Sequence, residues 1–253
     1  NAYLGVLLYH TNRPDDAETY LRSALTADPN SSMANTSMGM VKVSQRKYAE
    51  AKAYLDKAIE KNQKNHLAYY HAARLLSREG RDEFGYIREF PADRAVRMRE
   101  LLKKAIEINP EFTESYEMLA FVNLVTNTGL DEAVSLMMKA MRYQPGNQRY
   151  ALRIAELLIR QEKFADASGL AARISKSADD PQIKQRADQV LEEVKYRQDI
   201  NARNEEARKR YEAAVKGSSA VGPPRLANPT AEAEPFPEEL LKQQVELEVM
   251  AIN

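Results

Sequence analysis

The sequence predicts an all-α fold built from stacked pairs of helices, and two observations carry this prediction. First, similar residues recur at regular intervals in four series of positions. Three of these four series share the steps 34, 47, 35 and 34. A period in this range is typical of repeated supersecondary units. Second, the recurring residues are mostly small residues and prolines. The four series are Gly5, Gly39, Ala73, Ala120 and Ala155; Ala17, Ala51, Met98, Ala133 and Ala167; Ala24, Ala58, Ala105, Ala140 and Ile174; and Pro29, Gln63, Pro110, Pro145 and Asp179.

Each series has a physical role in a helix pair. Small residues such as Gly39 and Ala51 let two helix backbones approach closely, while larger ones such as Leu55 fill the remaining volume. A proline after the second helix stops that helix, because it lacks an N–H and its ring clashes with the preceding turn. One pair cannot bury its apolar side alone, so we expect each pair to stack on its neighbours.

The unit over residues 32–65 shows the pattern most completely, with Met38-Gly39, Tyr48, Ala51, Leu55 and Ala58. These residues resemble the tetratricopeptide-repeat (TPR) family. The resemblance covers residues 1–180 and implies a right-handed α-α superhelical solenoid with a C-terminal capping helix. It divides the solenoid into five repeats, over residues 1–31, 32–65, 66–112, 113–147 and 148–180.

The third repeat carries an insertion of 13 residues near 81–93, between its two helices. Gly80 is expected to end the first helix, and Pro91-Ala92-Asp93 to open the second. One interpretation is a longer surface turn, which costs little chain entropy. The other starts from its aromatic residues Phe84, Tyr86 and Phe90, which would pack on the flank of the repeats or meet a partner.

After residue 180 the repeat pattern stops, and three segments follow. Residues 181–216 are predicted to form a capping helix that then projects from the repeats; its apolar stripe is Ile183, Ala187, Val190, Leu191 and Val194. Residues 217–237 are predicted to form a Pro-rich linker. Residues 238–253 are predicted to form an amphipathic helix with Leu240, Leu241, Val245, Val249 and Ile252 on one side. Such a helix is marginal alone, so it would dock on its own solenoid, on a second copy or on a further domain.

Composition excludes several classes of function. With 37 basic and 37 acidic residues the net charge is zero, which gives no strong attraction to nucleic acid. No apolar run is long enough to span a membrane, and the chain has no cysteine. Both a cytoplasmic and an exported bacterial location are compatible with this composition. Asn1 lies at the fourth position of the first repeat, so we expect the chain to be part of a longer protein.

No catalytic or cofactor-binding pattern is present in the sequence. The histidines are only His10, His66 and His71, and their spacing does not suit a metal site. No phosphate-binding glycine loop and no nucleophile with a base can be identified, so neither a cofactor nor enzyme activity is predicted.

The resemblance implies that the first helix of each repeat lines a concave groove that binds peptides. Carried over by spacing, the candidate groove residues are Tyr9, Met40, Tyr70, His71, Arg74, Arg78, Glu117, Phe121, Arg149, Glu156 and Arg160. Their aromatic, Met and Arg side chains suit a peptide or helix with apolar anchors and some acidic residues. The alternative is that half of the residues on this surface pack against neighbouring helices and that the arginines pair with Glu114, Glu117 and Glu156. The family's clamp for a C-terminal carboxylate is not reproduced from any starting repeat, which disfavours a chaperone-adaptor role.

Three functions follow as hypotheses. The first is a non-catalytic protein-protein interaction module whose groove binds a peptide or helix, including its own C-terminal helix in cis or in trans. The second is an accessory TPR region of a larger enzyme, such as a bacterial peptidase or transferase. The third is a structural spacer in an envelope or secretion assembly. The identity of the partner is not encoded in any motif that we recognise.

Overall fold

The computed structural model describes residues 1–79 and 90–217. Within these ranges the chain forms eleven α-helices and no β-strand. The helices are α1 (Ala2–His10), α2 (Pro14–Ala27), α3 (Ser32–Ser44), α4 (Tyr48–Lys61), α5 (His66–Glu79), α6 (Ala92–Ile108), α7 (Thr113–Val125), α8 (Leu130–Tyr143), α9 (Gln148–Arg160), α10 (Phe164–Ser177) and α11 (Pro181–Gly217).

Successive helices form hairpins. Helix α1 packs on α2, α3 on α4, α5 on α6, α7 on α8 and α9 on α10. Except for α5 and α6, the two helices of a pair are joined by only three or four residues. This confirms the predicted all-α fold of sequential helix pairs followed by a long C-terminal helix.

The short turns share one backbone motif. In the first pair, the N–H of Arg13 donates to the C=O of Leu8 and the N–H of Asn12 donates to the C=O of Tyr9. This is the Schellman arrangement, which needs one residue in the left-handed region. That residue has φ between 49° and 59° in all four turns, at Asn12, Arg46, Asn127 and Glu162.

Glycine allows the closest contacts between the helices of a pair. A Cβ atom on Gly5 would lie 2.6 Å from Cγ of Leu21, and one on Gly39 would lie 2.7 Å from Cγ of Leu55. Both distances are shorter than packed carbon atoms allow. The two glycines therefore let α1 approach α2, and α3 approach α4, as the sequence predicts.

The helices divide between two compact units, unit 1 over Asn1–Pro145 and unit 2 over Gly146–Asn253. In unit 1, the second helix of each pair also packs on the first helix of the next: α2 on α3, α4 on α5 and α6 on α7. The first helices α1, α3 and α5 are in contact in that order. The side chains that join the first two pairs are Leu8, Ala17, Leu21, Met38 and Val41, with Tyr9, Leu25 and Tyr54 packed against them.

An ion-pair network around the buried Lys42 spans the same junction. The Nζ of Lys42 in α3 lies 2.8 Å from the carboxylate of Glu18 in α2 and 3.3 Å from that of Glu50 in α4. Gln45 donates a further hydrogen bond to Glu18. The hydrogen bond from Lys42 is the main reason that the pKa of Glu18 is lowered to about 2.

In unit 2, the first half of α11 covers the α9–α10 pair. Ala187, Val190 and Val194 of α11 are buried, and the last two belong to one cluster with residues of α9 and α10. That cluster contains Ala155, Ile159, Ala167, Ala171, Val190 and Val194, with Leu158, Phe164, Leu170 and Leu191 packed against it. Three residues of the predicted apolar stripe, Val190, Leu191 and Val194, therefore pack against the last pair.

Several predictions concern segments at the edge of the described residues or outside them. Helix α6 begins at Ala92, with the C=O of Pro91 accepting a hydrogen bond from the N–H of Ala95. Phe90, from the insertion, is buried and lies edge-on to Phe121 of α7 at 6.2 Å between ring centroids. The insertion between 80 and 89, the linker and the helix predicted over 238–253 lie outside the described residues.

Candidate peptide-binding surface

The candidate groove residues of unit 1 lie on the first helices of the pairs. The helix pattern places Met40, Arg74 and Phe121 at equivalent positions of α3, α5 and α7. Tyr70 and Glu117 share a second equivalent position, one helical turn earlier. Because α1, α3 and α5 are in contact in order, the positions on these three helices follow one another across neighbouring helices.

The richest part of this surface is a stripe on α5 formed by Tyr70, Arg74 and Arg78. They are spaced four residues apart, so they lie along one side of the helix. All three are half-buried, whereas Ala72, Ala73 and other residues of α5 are buried. The stripe therefore combines an aromatic ring with two arginine side chains of intermediate exposure, whose Nε atoms are buried. We call these three residues the α5 stripe.

The start of α7 packs on the first part of the α5 stripe through aromatic rings. Phe112, the residue before α7, lies edge-on to Tyr70 at 5.0 Å and to His66 at 5.1 Å between ring centroids. The side chain of Asn109 approaches Nε2 of His66 at 3.1 Å. Sequence reasoning missed Phe112 as part of the site, because it lies in the turn before α7 and not on a first helix.

Charges of both signs surround the Tyr70 hydroxyl. Burial raises the pKa of Tyr70, nearby Arg74 and Arg78 oppose the shift, and Glu114 and Glu117 of α7 add to it. The tyrosine therefore stays neutral at physiological pH and can donate or accept a hydrogen bond. Glu117, a candidate from the sequence, thus lies close enough to Tyr70 to influence its ionisation.

His71, by contrast, faces into the helix stack, with only 9% of its surface exposed. Burial lowers the pKa of His71 to about 3, and the neighbouring Arg74, His10 and His66 act in the same direction. Its imidazole is thus neutral over the physiological range. Because both His10 and His66 affect the pKa of His71, all three histidines of the chain lie in one region of unit 1.

Tyr9 and Met40 occupy the part of the surface nearest the first pair. Tyr9 is half-buried, packs on the junction of the first two pairs and lies edge-on to His10 at 5.5 Å. Met40 is almost fully buried in α3. These two residues offer less accessible surface than the α5 stripe.

The three candidate residues of unit 2 lie on α9 and differ in their surroundings. Glu156 is buried, and its carboxylate lies 2.7 Å from Arg153 and 2.6 Å from Arg186 of α11. Burial opposes ionisation of Glu156, but the two arginines outweigh it and lower the pKa. Arg149 and Arg160 are exposed. Glu156 thus links α9 to α11 through Arg153 and Arg186, neither of which is among the candidate arginines.

Within residues 1–79 and 90–217, no three His, Asp or Glu side chains come together in a way that could hold a metal ion. Among the described helices, none is both long and apolar enough to cross a lipid bilayer.

The comparisons with known families agree with this architecture. Two family models described as tetratricopeptide repeat match the chain, one over residues 1–32 and 36–83 and the other over residues 130–187. Together these ranges span more than half of the sequence. The chain belongs to the tetratricopeptide-repeat family, whose members are built as arrays of helix hairpins.

Solved TPR structures have a similar fold. TTC0263, a thermophilic TPR protein of Thermus thermophilus, is 18% identical over 75% of this chain and 96% of its own, with a TM-score of 0.56. YrrB, a TPR protein with an unusual peptide-binding site, is 21% identical over 73% of this chain and 88% of its own, with a TM-score of 0.55. PilF of Pseudomonas aeruginosa is 19% identical over 76% of this chain and 82% of its own, with a TM-score of 0.60. None of the curated proteins matches the sequence.

Proposed function

We propose that this chain is a protein-protein interaction module, and that the first helices of unit 1 bind a peptide or a helix around the α5 stripe. The observation that carries this proposal is the stripe itself. Tyr70, Arg74 and Arg78 lie in one row and stay partly accessible, while most of the side chains around them in α5 are buried. TPR proteins serve as binding scaffolds, and YrrB is described as having a peptide-binding site.

The chemistry of the stripe indicates what kind of segment would bind. Tyrosine and arginine are enriched among the few residues that dominate the binding energy of protein interfaces, because they combine apolar area with strong hydrogen bonding. The two guanidinium groups favour a ligand with carboxylates, and Tyr70 beside Phe112 favours an apolar anchor. A helix with an apolar side and an acidic side fits both requirements.

The chain's own residues 238–253 have this composition. The apolar side is flanked by Glu238, Glu239, Glu246 and Glu248, against a single Lys242. We propose this segment as a ligand of the stripe, bound in cis or exchanged between copies. Arg149, Glu156 and Arg160 of α9 belong to the proposal with less support, since Glu156 is already paired within unit 2.

A direct test uses residues 1–217, which keep every described helix, and a fluorescent synthetic peptide of residues 238–253. We expect saturable binding by fluorescence anisotropy. Replacing both arginines of the stripe, Arg74→Ala with Arg78→Ala, should weaken binding at least about 10-fold, because two charge-assisted contacts are lost.

The matched control is Arg94→Ala with Arg97→Ala on α6, which removes the same charge from the second helix of the same pair. It should leave the affinity within about twofold, since these two charges lie on the other helix of the pair, outside the proposed contact. Equal weakening by both double variants would mean that only net charge matters. No saturable binding to the unaltered protein would reject residues 238–253 as the ligand. The melting temperatures of all variants must agree for the comparison to count.

A second control changes the peptide instead of the protein. Replacing its four glutamates by glutamine keeps the apolar side and removes the carboxylates. If the arginines recognise those carboxylates, this peptide should bind the unaltered protein as weakly as the original peptide binds the Arg74→Ala, Arg78→Ala variant.

A further inference from the structure

Charged side chains form two rows where α9 packs against α11. The members of a row are three, four or seven residues apart, which places them on one side of their helix. The rows are Arg153, Glu156 and Arg160 on α9, and Arg186, Glu193 and Arg197 on α11. The two helices are in contact. Glu156 joins the rows, because its carboxylate lies 2.7 Å from Arg153 and 2.6 Å from Arg186.

Both carboxylates of these rows already have partners. Glu156 is bound by two arginines, and Glu193 accepts hydrogen bonds from Nε and Nη2 of Arg197 at 2.9 Å. Arg160 remains, since no carboxylate of the described residues forms an ion pair with it. Part of its side chain is exposed, so a ligand can reach it. The rows thus contain more positive than negative charge.

The surplus of positive charge acts on Arg160. Burial of part of the side chain lowers the pKa of Arg160, repulsion from Arg197 lowers it further, and Glu193 and Glu156 act in the opposite direction. The two glutamates therefore do not compensate for Arg197. Because both guanidinium groups stay charged in the physiological range, an anion placed between them would relieve the repulsion.

A second group without a partner lies on the same side of α11. Gln189 follows Arg186 by three residues and precedes Glu193 by four, and it is only 8% exposed. Neither the nitrogen nor the oxygen of its side-chain amide has a hydrogen-bond partner among the described residues. A buried polar group without a partner destabilises a fold, so this amide needs a partner that the described helices do not supply. Its N–H groups suit a carboxylate, as the arginines do.

The chain itself carries a run of carboxylates after α11. No Lys, Arg or His occurs between residues 226 and 241. Within this stretch, residues 232–239 contain four glutamates, and we call these residues the acidic run. The glutamates are Glu232, Glu234, Glu238 and Glu239. Carboxylates are the side chains that guanidinium groups bind most strongly.

The intervening chain is long enough to bring the acidic run back to the rows. From Arg197 to Gly217, α11 rises about 30 Å at about 1.5 Å per residue. Residues 218–231 would span up to about 45–50 Å when extended. The acidic run can therefore return along α11 and reach Arg197 and Arg160 without any change in the described helices.

From these observations we infer that Arg160 and Arg197 form a carboxylate-binding site, and that the acidic run of the same chain occupies it. The site lies in unit 2 and uses other arginines than the α5 stripe, so it does not depend on the peptide-binding proposal. It gives a binding role to residues that the sequence predicts to be part of a linker.

A single spin label tests this inference, because the chain has no cysteine of its own. Ala233→Cys in the full chain carries a nitroxide between Glu232 and Glu234, and the broadening of backbone amide NMR signals shows which helices it approaches. We expect the signals next to Arg160 and Arg197 to lose at least about half of their intensity, because a short tether gives an effective concentration in the millimolar range. Arg160→Gln should reduce this loss at least about twofold, because the unpaired guanidinium group is removed.

Two controls use the same label. Arg149→Gln removes an equal charge from the exposed first turn of α9 and should leave the broadening unchanged. Arg74→Ala with Arg78→Ala should also leave it unchanged, because those arginines belong to the α5 stripe. The second control separates the two proposals, since loss of peptide binding at the stripe would not alter the broadening in α9 and α11.

Three results would overturn the inference. In the first, the labelled chain without further substitutions shows no broadening next to Arg160 and Arg197. In the second, Arg160→Gln and Arg149→Gln reduce the broadening equally, which would mean that only net charge matters. In the third, broadening appears in isotope-labelled protein that carries no nitroxide when it is mixed with nitroxide-labelled protein, which would make a second copy the source of the carboxylates.

Discussion

The first helix pair and the second carry the same sequence pattern and differ in burial. In α3, every residue from Ala34 to Val43 is buried, whereas in α1 only Gly5 and Leu8 are. Both helices pack on their own partner in the pair, but α3 also has a neighbouring pair on each side. The difference teaches that burial in this protein depends on stacking, and that an apolar residue at a given repeat position can be core in one pair and surface in another.

The largest expected effect comes from exchanging equivalent residues for alanine. Met38→Ala should lower the free energy of unfolding by about 3 kcal/mol, because it leaves a cavity at the junction of two pairs. Leu4→Ala, at the equivalent position of α1, should cost less than about 1 kcal/mol, since that side chain is partly in water already. Urea denaturation of the two variants measures both values. Equal losses would contradict the view that stacking, and not repeat position, decides burial.

Sequence reasoning reached the fold because the repeat period reports backbone geometry. Gly39 was predicted to allow close helix approach, and the 2.7 Å that would separate its Cβ from Leu55 confirms the reason. The long helix α11 followed from the spacing of Val190 and Val194 in the same way. Patterns of this kind depend on which side of a helix a residue occupies, and spacing alone determines that.

The same reasoning could not give the contacts between side chains from different pairs. Spacing placed Tyr70 on the groove side but did not reveal Phe112 against it, because Phe112 lies in a turn without helical periodicity. It placed Glu156 on the first helix of the last repeat but could not show that Arg186, which is 30 residues away, would pair with it. Such contacts depend on side-chain conformation and on the packing angle between helices, neither of which has a period in the sequence.

The next largest effect is expected from pH, with His71 as the reporter of stacking. It occupies in α5 the position that the exposed Tyr3 has in α1. Since burial lowers its pKa from 6.5 in the unfolded chain to about 3, the unfolded state binds a proton that the native state does not. Stability should therefore fall as pH drops below 6.5, by about 2 kcal/mol from this group between pH 7 and pH 5.

His71→Met should remove this dependence, because methionine is the buried residue at the equivalent Met118. Urea denaturation at pH 7, 6 and 5 should show the loss in the unaltered chain and a flatter profile in the variant. A profile that is the same in both would mean that His71 remains accessible to protons in the folded state.

A smaller effect is expected at Lys42, which occupies in the second pair the position that Leu8 occupies in the first. Lys42→Leu should lower the free energy of unfolding by about 1 kcal/mol. Leucine replaces the apolar part of the lysine side chain, but Glu18 and Glu50 lose the cation that they share. The pKa of Glu18 should rise from about 2 toward its usual range, since Lys42 is the main cause of its depression. The stability that ionised Glu18 supplies above its unfolded pKa, and that is lost as pH falls from 4.5 to 2, should shrink accordingly.

Titration of the Glu18 carboxyl carbon by NMR measures that shift. Arg22→Ala is the matched control, because Arg22 also contacts Glu18 but is exposed and contributes least among the residues that lower the pKa. The control should move the pKa of Glu18 less than Lys42→Leu does. The reverse order would show that the buried lysine does not govern this junction.

The smallest effect concerns the turns, where the two pairs are alike in conformation and differ in sequence. Asn12 and Arg46 both have φ of 59°, in the left-handed region. Asparagine visits this region more readily than other side chains with a Cβ, because its short polar group can hydrogen-bond locally. Arg46→Asn should therefore raise the free energy of unfolding by about 0.5 kcal/mol, and Asn12→Arg should lower it by a similar amount. Chemical denaturation of the two single variants and of the double variant checks both signs. Because the two turns sit in different pairs and their residues share no partner, the double variant should match the unaltered chain, and a clear departure would mean that the turns are coupled through the stacked helices.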